Sequence, residues 1–142
     1  MHDEEIKSLA KVRIERADEL ITDAEKLLKN ASFLSANNRA FYAGEKALKA
    51  VLALKGKDSA THNGVIKTFN SEFIHNPSEY FDRDDFRRIQ SLDRIRTASD
   101  YDDFYIASKE DCERQVEEAK LLIKKVKEYL LSQGVMVSTQ SD

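Results

Sequence analysis

The segment from Arg94 to Tyr101 places two arginines, a carboxylate and a phenol on the end of an otherwise ordinary helical pattern. Arg96 and Asp100 are four residues apart, so on a helix they share a face and can form an ion pair. Arg94 projects about 160° away from Arg96, because each helical residue turns the chain by about 100°. We therefore expect Asp100 to neutralise one arginine and the other to stay free.

A second polar pair lies on another predicted helix. Arg39 and Tyr42 are three residues apart and share a face beside a face that must be buried. Two interpretations are open. Arg39 either forms a structural link to a carboxylate such as Asp100, or contacts a phosphate, which a guanidinium can bind through two parallel hydrogen bonds.

A histidine stands at the predicted start of the third helix, in the run Thr61-His62-Asn63-Gly64. Free backbone N–H groups and the helix dipole favour an anion at such a position. His62 is then either a local hydrogen-bonding or capping residue, or a titratable donor in a functional site.

Composition limits the classes of protein to consider. The chain has 142 residues, a net charge of −3 and a pI near 5.7, which argues against non-specific coating of nucleic acid but leaves room for a local basic cleft. With one cysteine and three scattered histidines, we expect no metal site and no cofactor. There is no glycine-rich phosphate loop and no GxSxG motif. A polar, acidic N-terminus and the lack of a long apolar run predict a cytoplasmic protein without membrane contact.

Apolar residues recur at three- and four-residue spacing along nearly the whole chain, which predicts an all-α, up-and-down bundle of about five helices. We expect one domain over 1–134 and a flexible tail over 135–142. The first helix is predicted from about Glu4 to Asn30, and the second runs to Leu54 with Ser35 as its N-cap. A third helix passes through Phe73 and must stop before Pro77. The fourth begins at Asp84, and the fifth runs from Ser108 to Gly134.

In order along the chain, several short motifs together resemble the HEPN domain family over roughly residues 5 to 132. They are Ser35 to Ala43 with its Arg-x-x-Tyr, Lys46-Ala47, Gly56, Thr61 to Val65 with its His-x-Gly, Phe69, Phe73, and Arg96 to Tyr101 with its Arg-x-x-x-Asp-Tyr. The resemblance implies a helical bundle that usually forms a homodimer. It also implies a family rich in metal-independent ribonucleases and in partners of minimal nucleotidyltransferases in toxin–antitoxin modules.

The chain departs from the ribonuclease motif of that family, an arginine followed four to six residues later by a histidine. Counted from Arg94 or from Arg96, the corresponding positions hold serine, aspartate or tyrosine. Aspartate is a weak base at neutral pH, since its reference pKa lies near 3.9. For cleavage, His62 would have to supply the missing imidazole.

Three hypotheses follow. In the first, the protein binds RNA or a nucleotide, or engages a nucleotidyltransferase, through Arg39, Tyr42, Asp100 and Tyr101. In the second, it is a metal-independent ribonuclease in which Arg96 or Arg94 stabilises the transition state and His62 acts as acid or base. In the third, the polar residues form a buried network in a structural or adaptor bundle.

Overall fold

A computed structural model describes residues 3–137, and over this range the backbone forms five α-helices and no β-strand. The predicted all-α bundle is thus confirmed for these residues. The elements are α1 (Asp3–Lys29), α2 (Phe33–Leu54), α3 (His62–Phe69) followed by a π-helical segment (Asn70–His75), α4 (Arg83–Tyr101) and α5 (Lys109–Ser132).

Helix α2 is the centre of the bundle, and it packs against α1, α4 and α5. Small side chains on several faces of α2 allow this, since Ala40, Ala43 and Ala47 are completely buried. A Cβ atom added to Gly44 would lie 3.2 Å from Leu92 Cδ1, so the glycine admits the side chains of neighbouring helices rather than another backbone. The many alanines therefore place α4 close to α2.

Local sequence patterns predicted the start of α5 correctly and the start of α2 wrongly. Ser108 accepts a hydrogen bond from the Asp111 N–H, as predicted for the start of α5. The prediction of Ser35 as an N-cap is wrong, because α2 begins at Phe33 with Ser32 before it. Ser32 O accepts the N–H of Ala36, and Ala31 adopts a positive φ of 59°, so the α1–α2 turn is tighter than predicted.

The first turn of α4 holds a set of paired charges that we call the Asp85 network. Asp82 caps the helix by accepting from the N–H groups of Asp84 and Asp85, and the Asp85 carboxylate accepts from the Asp82 N–H. Asp85 is fully buried, lies 2.9 Å from Arg88 Nη1 and pairs with Lys125 of α5. The fourth predicted helix is present, and it starts at Arg83, one residue before the predicted Asp84.

The third predicted helix continues beyond α3 as a π-helical segment. Phe69 and Phe73 are four residues apart and both are buried in the core, with ring centroids 5.8 Å apart. Phe81 and Tyr129 complete the aromatic group, each with its ring centroid 5.3 Å from that of Phe73. The segment ends at His75, before Pro77, as predicted.

The end of α5 is followed by a turn that returns to the core. Gly134 has a φ of +85°, and the Val135 N–H donates to Leu130 O at 2.9 Å. Val135 is only 2% exposed, so the core extends past the predicted boundary at residue 134. Residues 138–142 lie outside the described residues, and the flexible tail stays a prediction there.

Candidate functional site

Residues from α2, α3 and α4 meet around the fully buried ring of Phe41. The ring centroids of Tyr42 and His62 lie 5.4 Å and 5.1 Å from that of Phe41, and Arg96 Cζ lies 4.9 Å from it. Both aromatic contacts are edge-on, and the guanidinium contact is a cation–π interaction. We call this group, with two carboxylates described below, the Phe41 cluster; its members are Phe41, Tyr42, Glu45, His62, Asp93 and Arg96.

Arg96 is held firmly within this cluster and is 7% exposed. Its Nη2 donates to Asp93 Oδ1 at 2.8 Å, and its Nη1 lies 3.8 Å from Asp100 Oδ2. Burial by itself lowers the pKa of Arg96, but Asp93, Tyr42 and Asp100 outweigh it and raise that pKa above its ordinary value. The predicted pairing of Arg96 with Asp100 is therefore present, and Asp93 adds a closer partner.

His62 is joined to α2 by a tertiary contact rather than by a local one. Its Nδ1 pairs with Oε2 of Glu45, a carboxylate that is 7% exposed. The cap of α3 is supplied instead by Thr61, whose Oγ1 accepts the Gly64 N–H at 3.0 Å. A Cβ atom at Gly64 would lie 1.9 Å from Ser59 Oγ, so glycine is required for this turn to hold His62 in place.

A cleft of about 560 Å³ opens between α3 and α4, next to the Phe41 cluster. Arg94 and Lys67 line it, and neither has a carboxylate within 4 Å among residues 3–137. Asp93 belongs to both places, because it lines the cleft and also binds Arg96. The remaining wall combines amide and apolar side chains, namely Asn63, Asn70, Gln90, Ile66 and Phe86.

The other predicted site residues lie outside the Phe41 cluster. Arg39 is exposed, and its Nη1 donates to Asn38 Oδ1 at 3.0 Å. Asn38 in turn donates to both carboxylate oxygens of Asp100 at 3.2 Å, so Asn38 makes the link to Asp100 that we considered for Arg39. Tyr101 is 75% exposed at the end of α4. The structure thus brings together Arg96, Tyr42 and His62, and leaves Arg39 and Tyr101 on the surface.

Sequence reasoning missed Glu45, Asp93 and Lys67. Glu45 stands four residues after Phe41, and Asp93 three before Arg96, so helical spacing could have flagged both. Lys67 has no comparable local signal, because only the packing of α3 on α4 places it in the same cleft as Arg94.

Among residues 3–137 no three histidine, cysteine, aspartate or glutamate side chains are grouped as a metal site requires. No helix in the same range is long and apolar enough to cross a membrane. The one thiol, Cys112, is buried, and its burial raises its pKa to about 11.

A family model described as "HEPN domain" matches residues 10–129. The chain belongs to the HEPN family. Two relatives from Methanocaldococcus jannaschii match most of the chain. "Putative toxin MJ0142" is 28% identical over 123 residues, which are 87% of this chain and 82% of the relative. "Putative toxin MJ0605" is 31% identical over 127 residues, which are 89% and 90%.

A third relative matches a shorter stretch of the chain. A "UPF0332 protein" of Thermotoga maritima is 44% identical over 59 residues, which are 42% of this chain and 45% of that protein. The resemblance that we drew from the ordered short motifs is therefore confirmed as family membership. In this HEPN domain the Arg-x-x-Tyr, His-x-Gly and Arg-x-x-x-Asp-Tyr motifs contribute Tyr42, His62 and Arg96 to one cluster.

Proposed function

We propose that this HEPN domain binds RNA through the cleft between α3 and α4, as a component of a toxin–antitoxin module. One observation carries the proposal: Arg94 and Lys67 line the cleft without carboxylate partners in residues 3–137. Cations that the fold does not neutralise are available to phosphate oxygens. The names of the two Methanocaldococcus relatives support the assignment to a toxin–antitoxin module.

The size and wall of the cleft suit one nucleotide unit. Its volume of about 560 Å³ lies within the usual range for small-ligand sites, roughly 300–1,000 Å³. Phe86 offers an aromatic face on which a base can stack, and the Asn63 and Asn70 amides can donate to or accept from base edges. A free nucleotide would make the same contacts as one nucleotide of an RNA chain. Measuring the affinity for an RNA oligomer and for a mononucleotide shows which of the two is the ligand.

The proposal also includes two protein partners, a second copy of the chain and a minimal nucleotidyltransferase. Both rest on the family resemblance of the motifs. Light scattering on the purified chain tests the first, and co-purification with a co-expressed nucleotidyltransferase from the same operon tests the second. A mass of 16.3 kDa at micromolar concentration would contradict the dimer.

Binding is tested by fluorescence anisotropy with a labelled 12-nucleotide RNA in EDTA. We expect Arg94→Gln to weaken binding about tenfold, which corresponds to about 1.4 kcal/mol for one charge-assisted contact. Arg83→Gln is the matched control, since Arg83 is an exposed arginine at the other end of α4. Equal affinities for wild type, R94Q and R83Q would refute the cleft as the RNA site.

A second candidate function, metal-independent RNA cleavage, is favoured by the contact between His62 and Glu45. In the neutral tautomer in which Nδ1–H donates to the Glu45 carboxylate, Nε2 carries the lone pair that can accept a proton. In this hypothesis Nε2 takes the proton of a 2′-hydroxyl, and the 2′-oxygen attacks phosphorus as the bond from phosphorus to the 5′-oxygen breaks. The leaving 5′-oxygen takes up a proton from water, and a 2′,3′-cyclic phosphate is the other product. Arg94 would stabilise the charge on the phosphorane, because Arg96 is already engaged by Asp93.

Cleavage is tested by incubating the full chain with mixed cellular RNA in EDTA. Activity that His62→Ala abolishes and His75→Ala preserves would establish it, since His75 is exposed and is not a member of the Phe41 cluster. RNA that stays intact with the wild-type chain, although the 12-nucleotide RNA binds, would leave the protein an RNA-binding HEPN domain without ribonuclease activity.

A further inference from the structure

Four cations from α1 and α2 lie side by side on a face of the bundle that the cleft does not include. We call them the α1–α2 cation cluster: Arg13, Arg16, Lys46 and Lys49. The Arg13 Nη1 donates to the backbone oxygen of Lys49 at 3.0 Å, which fixes the guanidinium against α2. Burial and the charges of Lys49 and Arg13, with a smaller effect of Arg16, lower the pKa of Lys46 despite the nearby Glu45 carboxylate.

The carboxylates near this cluster do not neutralise it. Arg13 pairs with Asp58 at 3.3 Å and Arg16 with Glu19 at 2.7 Å, but both carboxylates are 65% exposed and such pairs are weak in water. Lys46 and Lys49 have no carboxylate within 4 Å among residues 3–137. In a protein with a net charge of −3, this face therefore presents two lysines, Lys46 and Lys49, without an ion pair in residues 3–137, beside two arginines held only in exposed pairs.

The cluster is continuous with the proposed RNA site along α2. Tyr42, Lys46 and Lys49 stand at successive four- and three-residue steps, so they follow one face of the helix. At one end of this row the Tyr42 ring lies 5.6 Å from that of His62, and His62 is followed by Asn63 in the cleft wall. A phenol ring followed by flexible cations is the combination that tracks a single strand, because bases stack on the ring while lysines meet the phosphates.

We infer that the α1–α2 cation cluster is a second phosphate-binding surface, which holds the part of a single-stranded RNA that extends beyond the cleft past Tyr42. The inference rests on the proposed function, because it assigns the substrate class as an oligomer of RNA rather than a mononucleotide. An acidic protein segment is the competing ligand. The cation cluster adjoins Tyr42 and His62, and this favours RNA, because RNA bases can stack on an aromatic ring whereas the side chains of an acidic peptide cannot.

The test compares Lys46→Gln/Lys49→Gln with a control variant of equal charge, Lys29→Gln/Lys124→Gln, whose lysines are exposed on α1 and α5. Binding of a trinucleotide and of a 12-nucleotide RNA is measured by anisotropy from 50 to 300 mM KCl. We expect K46Q/K49Q to weaken 12-nucleotide binding at least about fivefold and to reduce its salt slope by about 1.4, or about 0.7 for each lost phosphate contact. Trinucleotide binding should not change, and the control should change neither.

Folding of the variant is checked by thermal melting. We expect K46Q/K49Q to melt at or above the wild-type temperature, because it removes repulsion among like charges.

Several outcomes would overturn the inference. Unchanged 12-nucleotide affinity in K46Q/K49Q, with R94Q still impaired, would leave the cleft as the whole site. An equal loss in the control variant would show a general effect of net charge. Binding of a polyglutamate peptide that K46Q/K49Q abolishes while RNA affinity stays unchanged would assign the surface to an acidic protein. Failure of the wild type to bind either RNA would refute the proposed function itself, and the inference with it.

Discussion

The two ends of α4 carry similar numbers of charged side chains but arrange them in opposite ways. At the first turn, the Asp85 network pairs its central carboxylate with two cations, Arg88 and Lys125, and Arg88 Nε also lies 2.8 Å from Glu118. Near the last turns, Arg96 is paired with Asp93 and Asp100. Arg94, two residues before Arg96 in the chain, has no ion-pair partner in residues 3–137. The exposed Arg83 of the first turn also has no ion-pair partner in residues 3–137, but of these two arginines only Arg94 lines the cleft.

This difference separates structural charge from charge that can bind a ligand. A buried carboxylate such as Asp85 must be paired, because an isolated ion in the interior is costly. An exposed cation such as Arg94 needs no partner to be tolerated, so its position in a cleft can be used for binding. The comparison predicts that substitutions of buried, paired charges such as Asp85 and Arg96 reduce stability, whereas substitution of the exposed Arg94 reduces RNA affinity and leaves stability nearly unchanged.

The largest effect is expected for Asp85→Ala. It leaves Arg88 and Lys125 without their shared partner and removes half of the capping box, so we expect a loss of about 3–5 kcal/mol in the free energy of unfolding. Urea denaturation followed by circular dichroism measures it. Asp84→Ala is the control, since the exposed Asp84–Arg87 pair contributes about 0–1 kcal/mol. Equal midpoints for the two variants would contradict a structural role for the buried Asp85 carboxylate.

Arg96→Met should have an intermediate effect on stability, about 2 kcal/mol. It removes a charge-assisted hydrogen bond to Asp93 and a cation–π contact with Phe41, while methionine keeps part of the packing. We also expect weaker RNA binding, because Asp93 in the cleft wall loses the guanidinium that neutralises it. A variant that unfolds like the wild type would show that Arg96 does not hold the Phe41 cluster together.

A smaller, pH-dependent effect on stability is expected at the N-cap of α4. Burial raises the pKa of Asp82, but hydrogen bonds from Asp85 and Asp84 and the charge of Lys125 outweigh it, so the folded pKa lies below 3.8. The carboxylate therefore stabilises the fold fully above pH 3.8, and this contribution is lost as the pH falls through the folded pKa. We expect Asp82→Asn to reduce the steepness of acid unfolding below pH 3.8. An acid unfolding curve that is the same for Asp82→Asn and the wild type would contradict the lowered pKa of Asp82 in the folded state.

The smallest effect on stability is expected for Arg94→Gln, within about 0.5 kcal/mol, since its side chain is exposed and forms no ion pair in residues 3–137. Combined with the tenfold loss of RNA affinity proposed above, this result would sharpen the contrast between the ends of α4. A loss of stability comparable to that of R96M would instead make Arg94 part of the fold.

Local patterns predicted much of the fold because helix signals act over a few residues. The apolar period located all five helices, and the fifth was predicted to begin at Ser108, which caps α5. Ser35 failed as a cap because Ser32 stands three residues earlier and the positive φ of Ala31 lets the helix start there. The pairing of Arg96 with Asp100 was predictable for the same reason, since both lie on one helix.

The contacts that make the candidate site were outside the reach of such reasoning. Glu45 and His62 are 17 residues apart and Asn38 and Asp100 are 62 apart, so helix packing rather than helical spacing brings them together. Lys67 and Arg94 likewise meet only across the cleft.

By itself, the sequence determined the helices, several of their caps and the membership of the HEPN family, because each depends on residue types at short and regular spacing. Only the tertiary structure decided which polar residues share a site. It placed Tyr42, His62 and Arg96 around Phe41 and left Arg39 and Tyr101 on the surface. The physical reason is that the alanines and Gly44 of α2 set how closely the other helices approach, and that distance determines which side chains meet.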